Sequence, residues 1–476
     1  MTGISALSIG GRIATAEDTD WDEARAAWSL AADQRPVAVA LVKTADDVAK
    51  VVGFTGANGP RVAAQGTGHG AMPLGSLDGV VLIKTERMRG IQIEDGRARV
   101  EAGAWASDLG EAAARSGRSF LPGTSPNVGV IGYTLGGGLS WLGRKYGFAC
   151  NRVTAIELVT AAGEARTVNA ATDPDLFWAL RGGGGGYALV IALHVELVPV
   201  SEAYAGALVF SPGLAAEGIA AYRDWSADAP EEVGSLVRML NLPPIPDIPE
   251  PLRGNKWLAI IAACIGSREQ GERAIAPLRQ IGDPVVDTFD QIPAAGLSRI
   301  AMDPEPPVPA LGHHRVLREL PDDAIAAFVD VAGPESGAPL LLAELRHLGG
   351  ALARPAENGG ALDKLDGQFV ALGAGLLMDP ALREPIAGSL DRLADALDPW
   401  AAAGGFFNYA ERPGEVDAIM PAETCRRLAE VKRRWDPDDL ILANHSVAAR
   451  RGRDHRAERE RAAPGRHDPP GAVPDR

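Results

Sequence analysis

The sequence predicts an α+β protein of two folded units, and three observations carry that reading. The first 200 residues alternate short strand-like and helical patterns, the texture changes near residue 201, and a last segment of about 400–448 carries its own amphipathic helix. At 476 residues the chain is long enough for two or three domains.

PVAVALV (36–42) reads as a strand and TADDVAKVVGFT (44–55) as a helix, with Thr44 capping its first turn and Asp47 three residues on. RVAAQ (61–65) is a strand that runs straight into GTGHG (66–70). VVLI (80–83) and RARVEAG (97–103) follow as strands with Asp95-Gly96 as a turn between them, then a helix at about 105–116 that Gly117 stops. VTAIELVT (153–160) and ARTVN (165–169) flank a hairpin signal at Ala162-Gly163, and TDPDLFWAL (172–180) opens a helix with Pro174 in its first turn. LVIALHVELV (189–198) alternates, so Ile191, Leu193, Val195 and Leu197 are expected to face one core while His194 and Glu196 face away.

Beyond residue 201, proline clusters at 243–251 and 303–309 mark loops, and WLAIIAACI (257–265) and LLLAEL (340–345) read as buried strands. FFNYA, near 408, looks strand-like. A helix with Leu428, Val431 and Trp435 on one face ends at Asp436-Pro437. From Arg450 the chain is almost free of apolar residues, which predicts a disordered tail over 450–476.

Composition removes several function classes. A formal net charge of −15, with no basic stripe in the globular part, argues against a nucleic-acid partner. No apolar run approaches the roughly 20 residues a membrane helix needs, and the N-terminus lacks a secretory pattern, so no membrane association and a cytoplasmic location are expected. Cys150, Cys264 and Cys425 are far apart, the eight histidines lack metal-ligand spacing, and no metal is expected.

Glycine concentrates at 66–70, at 129–143 (GVIGYTLGGGLSWLG) and at 182–186 (GGGGG). Such loops can turn the chain, or let backbone N–H groups approach an anion. Three together point to a large ligand containing a diphosphate. GTGHGAMPLGS leads into a proline-containing loop rather than a helix, against a Rossmann unit, and no GxxxxGK[ST] exists.

GTGHG, ERMRGI with RVEAGA, LPGTSPNVGVIGYTLGGGLSWLGRKYGFACN, DPDLFWALRGGGGG and RRLAEVKRRWDPDDLILANHSV form an ordered series. It closely resembles the berberine-bridge-enzyme-like oxidases of the vanillyl-alcohol-oxidase superfamily, most strongly over 30–200 and 405–447. The resemblance implies a two-lobed FAD-binding domain of the PCMH type at 30–200 and a substrate domain of antiparallel sheet plus helices at 201–400. A segment at 401–448 would return to the FAD domain. It implies FAD bonded covalently to His69, with Gly66, Thr67, Gly68 and Gly70 donating to the pyrophosphate. Thr124, Ser125, Val128, Gly129, Gly132 and Tyr133 would line the ring and ribityl chain, and Asn444 would lie near the flavin. Many relatives add a second bond from a cysteine. Ser125 stands at that position, implying attachment through His69 only, as in the branch similar to 6-hydroxynicotine oxidases.

The flavin would take a hydride from a small alcohol, amine, sugar or secondary metabolite, with dioxygen as the family's usual acceptor. Tyr409 is the implied base, its pKa lowered by neighbouring cations. Glu344, Arg346 and His347 are candidate substrate ligands, with a surface ion-pair cluster as the competing reading. The chain departs from the family at Tyr187-Ala188-Leu189, where relatives read Asn-Phe-Gly, and at Asn408-Tyr409-Ala410-Glu411, where many read Asn-Tyr-Arg-Asp. A flavin dehydrogenase and a binding protein that has lost turnover remain the alternative readings.

Overall fold

Parallel pairing of Arg61–Gln65 with Val80–Lys84, and of Val80–Lys84 with Ala38–Leu41, forms the centre of the first sheet. The computed structural model describes residues 3–246, 248–413 and 419–445, so the tail from Arg450 lies outside the described residues. Arg12–Ala14 pairs antiparallel on one edge of this sheet, and Ile441–Leu442, from the far end of the chain, closes the other edge in parallel with Arg61–Gln65. Helix Ala45–Asn58 covers the sheet: Thr44 accepts a hydrogen bond from the Asp47 amide, and Val48, Val51 and Val52 are buried against Val62, Val81 and Ile83.

A second, antiparallel sheet runs in the order Ile91–Glu94, Arg97–Glu101, Leu189–Glu196, Val153–Val159, Ala165–Val168. Its first strand was not expected. Asp95-Gly96 is a hairpin turn joining Ile91–Glu94 to Arg97–Glu101, with φ of 47° and 75° at the two positions. Strand Leu189–Glu196 departs from strict alternation. Leu158 pairs with Val190 and Glu157 with Ala192, so Ile191 is an extra residue in the ladder. The bulge turns Leu189 and Ile191 toward the helix-covered first sheet, while Leu193 and Val195 face the core of their own sheet. One strand thereby joins the two lobes.

The largest sheet, eight-stranded among the described residues, is antiparallel. Six of its strands, in sheet order and ending at an edge, are Glu202–Phe210, Lys256–Ile265, Val233–Asn241, Leu342–His347, Phe369–Leu376 and Ala310–Leu317. Side chains alternate across it. Val237, Ile260, Leu345 and Phe369 pack against helices Ala215–Ala227, Asp322–Ala332 and Arg383–Leu397 through Tyr222, Phe328 and Leu390. The opposite face presents Leu236 and Ile261 to Trp141 and Leu121 of the first 200 residues.

FFNYA does not form a strand. Phe407–Tyr409 is a single 3-10 turn, because neighbouring polar groups are committed elsewhere: the Phe406 amide donates to His314 Nε2 at 2.8 Å and Asn408 Oδ1 accepts from the Gly138 amide at 2.9 Å. No disulfide joins any two of the three cysteines; Cys150 and Cys264 are buried, and desolvation pushes both thiols up to about 12.

Candidate functional site

GTGHG leaves the C-terminal end of Arg61–Gln65, and Asn444 lies just past Ile441–Leu442. Because these two strands are parallel, both loops emerge at one edge of the sheet, and the Asn444 side-chain amide donates to the Gly70 carbonyl. Gly68 has φ of +88°, and a Cβ there would come within 2.8 Å of Ala27, so no other residue fits without a shift. Trp28 and Ser29 donate their amides to the Thr67 and Gly68 carbonyls, which leaves the loop's own N–H groups turned the other way. Among the described residues, none of the backbone N–H groups of Gly66, Thr67, Gly68, His69 and Gly70 has an acceptor. The same holds for Thr124, Ser125 and Val128 in the second loop. Thr67 Oγ1 accepts from the Gly129 amide at 3.2 Å and ties the two loops together. Unpaired donors on two adjoining loops are what a diphosphate-bearing cofactor requires.

His69 is held on its edge and on its face. Its Nε2 lies 3.2 Å from Asn127 Oδ1, and its ring stacks on Trp28 with centroids 3.8 Å apart and planes 12° from parallel. The Asn127 Nδ2 group donates to the Glu305 carbonyl, so its oxygen is the end that meets the imidazole. Nε2 must then carry the hydrogen, and Nδ1 keeps its lone pair. Desolvation pushes the His69 pKa down to about 4, so the ring is neutral at physiological pH.

The second loop leads into helix Val130–Leu135, with Gly132 exposed on its first turn and the Tyr133 hydroxyl donating to the Leu121 carbonyl at 3.0 Å. The run 182–186 is used differently from the first two loops. The Gly182 and Gly184 amides both donate to the Leu135 carbonyl, that of Gly183 donates to Ala179, and added Cβ atoms would strike Leu362 or Phe407. Close packing against the second loop's helix accounts for Gly182, Gly183 and Gly184, whereas the amides of Gly185 and Gly186 have no acceptor among the described residues. Tyr187 next to them is buried, its hydroxyl donating to the Gly183 carbonyl at 3.3 Å.

Glu344 and Arg346 do not form a surface cluster. Two apart on Leu342–His347, they share the face turned toward Trp141, while His347 points to the opposite side and packs on Phe369 with centroids 5.6 Å apart. Glu344 is 1% and Arg346 8% exposed. Glu344 sits directly across the ladder from Arg238, whose Nη2 reaches it at 2.6 Å, and Arg346 Nη2 reaches its other oxygen at 2.8 Å. Asp303, from the proline-rich loop, accepts from Arg238 Nη1 at 3.0 Å. The Arg346 guanidinium carbon stands 5.7 Å from the ring centres of both Trp141 and Tyr409.

The expectation of a lowered tyrosine pKa is corrected here. Burial pushes Tyr409 up to about 12, and the opposing pull of Arg346 is smaller because Glu344 partly cancels that cation. Asn408 fixes the turn that carries Tyr409, with its Nδ2 donating to the Tyr133 carbonyl at 3.2 Å.

Trp28, Asn127, Trp141, Arg238 and Asp303 were missed at the sequence level. Only Arg238 had a signal, a lone cation between Val237 and Met239 in an apolar strand. Among the described residues no group of three or more His, Cys, Asp or Glu side chains could hold a metal, and no helix is long and apolar enough to cross a membrane.

Residues 36–169 match the FAD binding domain family. The whole chain is similar to (R)-6-hydroxynicotine oxidase of Paenarthrobacter nicotinovorans, 27% identical with 93% of this chain and 97% of that protein covered. The solved structure of Physcomitrella patens BBE-like 1 superposes with a TM-score of 0.80 at 18% identity, covering 93% of this chain and 98% of the other. That of glucooligosaccharide oxidase from Acremonium strictum, with its 6-S-cysteinyl, 8α-N1-histidyl FAD, superposes with a TM-score of 0.76 at 21% identity, covering 92% and 96%. The unpaired amides, the matched FAD-binding domain and the shared fold agree: the chain is an FAD-linked oxidoreductase with a PCMH-type FAD-binding fold.

Proposed function

We propose that the protein is an oxidase that holds FAD through a single covalent bond from His69 and oxidises a small organic molecule beside Tyr409, with dioxygen as acceptor. The observation that carries this reading is the state of His69: a neutral ring, clamped by Asn127 and Trp28, in a loop of unpaired amides. Ser125 supports single attachment, since a hydroxyl is too weak a nucleophile to form the second link that a cysteine forms in relatives.

When bound, the flavin supplies a two-electron acceptor. Gly66 to Gly70 and the 123–128 loop would donate backbone hydrogen bonds to it. Tyr409, protonated at neutral pH as it stands, would meet the substrate's hydroxyl or amine. Its proton affinity must fall before it can act as a base, and Arg346 is the cation placed to lower it.

Acid precipitation of the purified protein tests the covalent link. The yellow colour is expected to stay in the pellet for the wild type and to move to the supernatant for His69→Ala. Colour left in the wild-type supernatant refutes covalent attachment, and pelleted colour in the variant refutes His69 as its site.

A further inference from the structure

Glu344 is the acid on the site-facing side of the large sheet, and it is fully engaged. Arg238 donates to its Oε2 from Nε at 3.1 Å and Nη2 at 2.6 Å, and Arg346 takes Oε1. Arg238 is engaged as well, giving Nη1 to both Asp303 and the Ala301 carbonyl at 3.0 Å. Neutralisation is therefore concentrated at the Arg238 end.

The end nearest the aromatic rings is different. Among the described residues, Arg346 makes one hydrogen bond with its five donors, and its buried Nε has no partner. The indole Nε1 of Trp141, whose ring stands 5.7 Å from that guanidinium, is also buried without a partner. Of the nearby acceptors, the Glu344 oxygens are taken by arginines and the Leu121 carbonyl by Tyr133, which leaves the Tyr409 hydroxyl, already assigned to the reacting hydroxyl or amine. A site wall with more spare donors than spare acceptors selects a ligand that brings acceptors. An ammonium group would meet a guanidinium with no free carboxylate beside it, which is repulsive. A planar carboxylate matches the guanidinium fork, and the rings of Trp141 and Tyr409 suit a flat body attached to it.

We propose that the substrate carries a carboxylate bound by Arg346, so that the enzyme oxidises a hydroxy- or amino-acid-like molecule rather than a cationic amine. This rests on the flavin-oxidase reading above. It also separates this chain in specificity from the nicotine oxidase it is similar to.

Benzoate, benzamide and benzylamine, titrated at pH 7 into the purified yellow protein and followed by the flavin absorbance, test the proposal. Benzoate is expected to perturb the spectrum at least tenfold more tightly than benzamide, with benzylamine weakest. Arg346→Met should weaken benzoate at least tenfold and leave benzamide within twofold, and Arg346→Lys, which keeps the charge without the fork, should fall between. Equal binding of benzoate and benzamide, tighter binding of benzylamine, no binding of any probe, or an unchanged benzoate affinity in Arg346→Met each overturns the proposal. If Arg346→Met yields no folded yellow protein, the lysine variant decides, and undiminished benzoate affinity there overturns it. A colourless wild type would instead defeat the flavin reading itself.

Discussion

The side-chain amide of Asn127 has one orientation that satisfies both of its ends, and that orientation decides which nitrogen of His69 is free. Replacing Asn127 with Leu removes the acceptor that holds the hydrogen on Nε2. A net hydrogen bond of about 1 kcal/mol corresponds to roughly a fivefold change in tautomer population. Flavin attachment is therefore expected to slow at least fivefold, read from the rate at which fluorescence appears on a denaturing gel, while non-covalent flavin still binds. Tyr409 is argued at the same scale. Tyr409→Phe should lower kcat by about 10²–10⁴-fold, the usual worth of a general base, at unchanged flavin content. The wild-type rate should climb as pH rises toward the alkaline pKa of that phenol, and the variant should lose this dependence. A kcat within threefold of wild type would remove Tyr409 from the chemistry. His69 was legible in the sequence because glycines announce their own backbone demands. Asn127 was not, since its role depends on a carbonyl 178 residues away in the chain.

Among the elements, the helix Ala422–Trp435 is anchored by a pair that periodicity did not reveal. Leu428, Val431 and Trp435 were expected on one face; the first two are buried there and Trp435 packs half-buried against the same core. Lys432 lies next to them, 7% exposed, and gives its ammonium to Asp436 at 2.6 Å and to the carbonyls of Gly186 and Ile441 at 2.7 Å each. Asp436 in turn accepts from the Leu440 and Ile441 amides at 2.8 Å. One buried cation thus ties the last helix, the third glycine run and the strand leading to Asn444. Lys432→Met would leave Asp436 buried without its partner, a loss of about 3–5 kcal/mol. Thermal melting should show the drop, and the free flavin fraction should rise as the Asn444 loop loosens. An unchanged melting temperature would refute this role. A lysine beside two arginines in a polar stretch reads as a solvated face, and only the fold shows otherwise.

At the scale of the whole molecule, the chain buries histidines in neutral form in more than one place. His314, 6% exposed, accepts the Phe406 amide on Nε2 and is pushed down to about 3; His445, 3% exposed beside Phe407, is pushed down to about 4. Desolvation is the main cause for both. Both pKa values fall below that of the unfolded chain, so between about pH 6.5 and pH 4 the unfolded state binds more protons. Stability is therefore intact above pH 6.5 and declines as the medium is acidified, by about 1.4 kcal/mol per pH unit for each fully neutral buried histidine. Melting temperature measured from pH 7 to 4 should fall steadily, and His314→Gln should flatten the slope; a flat wild-type profile would contradict this. The sheets of the first 200 residues were readable because local strand, turn and glycine signals coincide. The charge network was not, because it is assembled from strands whose order in the large sheet differs from their order in the chain.

The proline-rich loop at 303–309 touches both ends of this arrangement. Asp303 clamps Arg238, the Glu305 carbonyl receives Asn127 and Trp28, and Val308 bonds to Leu30 and Trp28. The segment that orients His69 is thus supplied from outside the FAD-binding portion of the chain. A fragment ending near residue 200 would carry the glycine loop and the histidine yet lack the carbonyl that sets Asn127. Under the proposed His69 link, maturation of the holoenzyme would be ordered in time: both halves would have to fold and meet before the cofactor is locked in, and a tethered flavin would be a stamp that the complete chain has assembled.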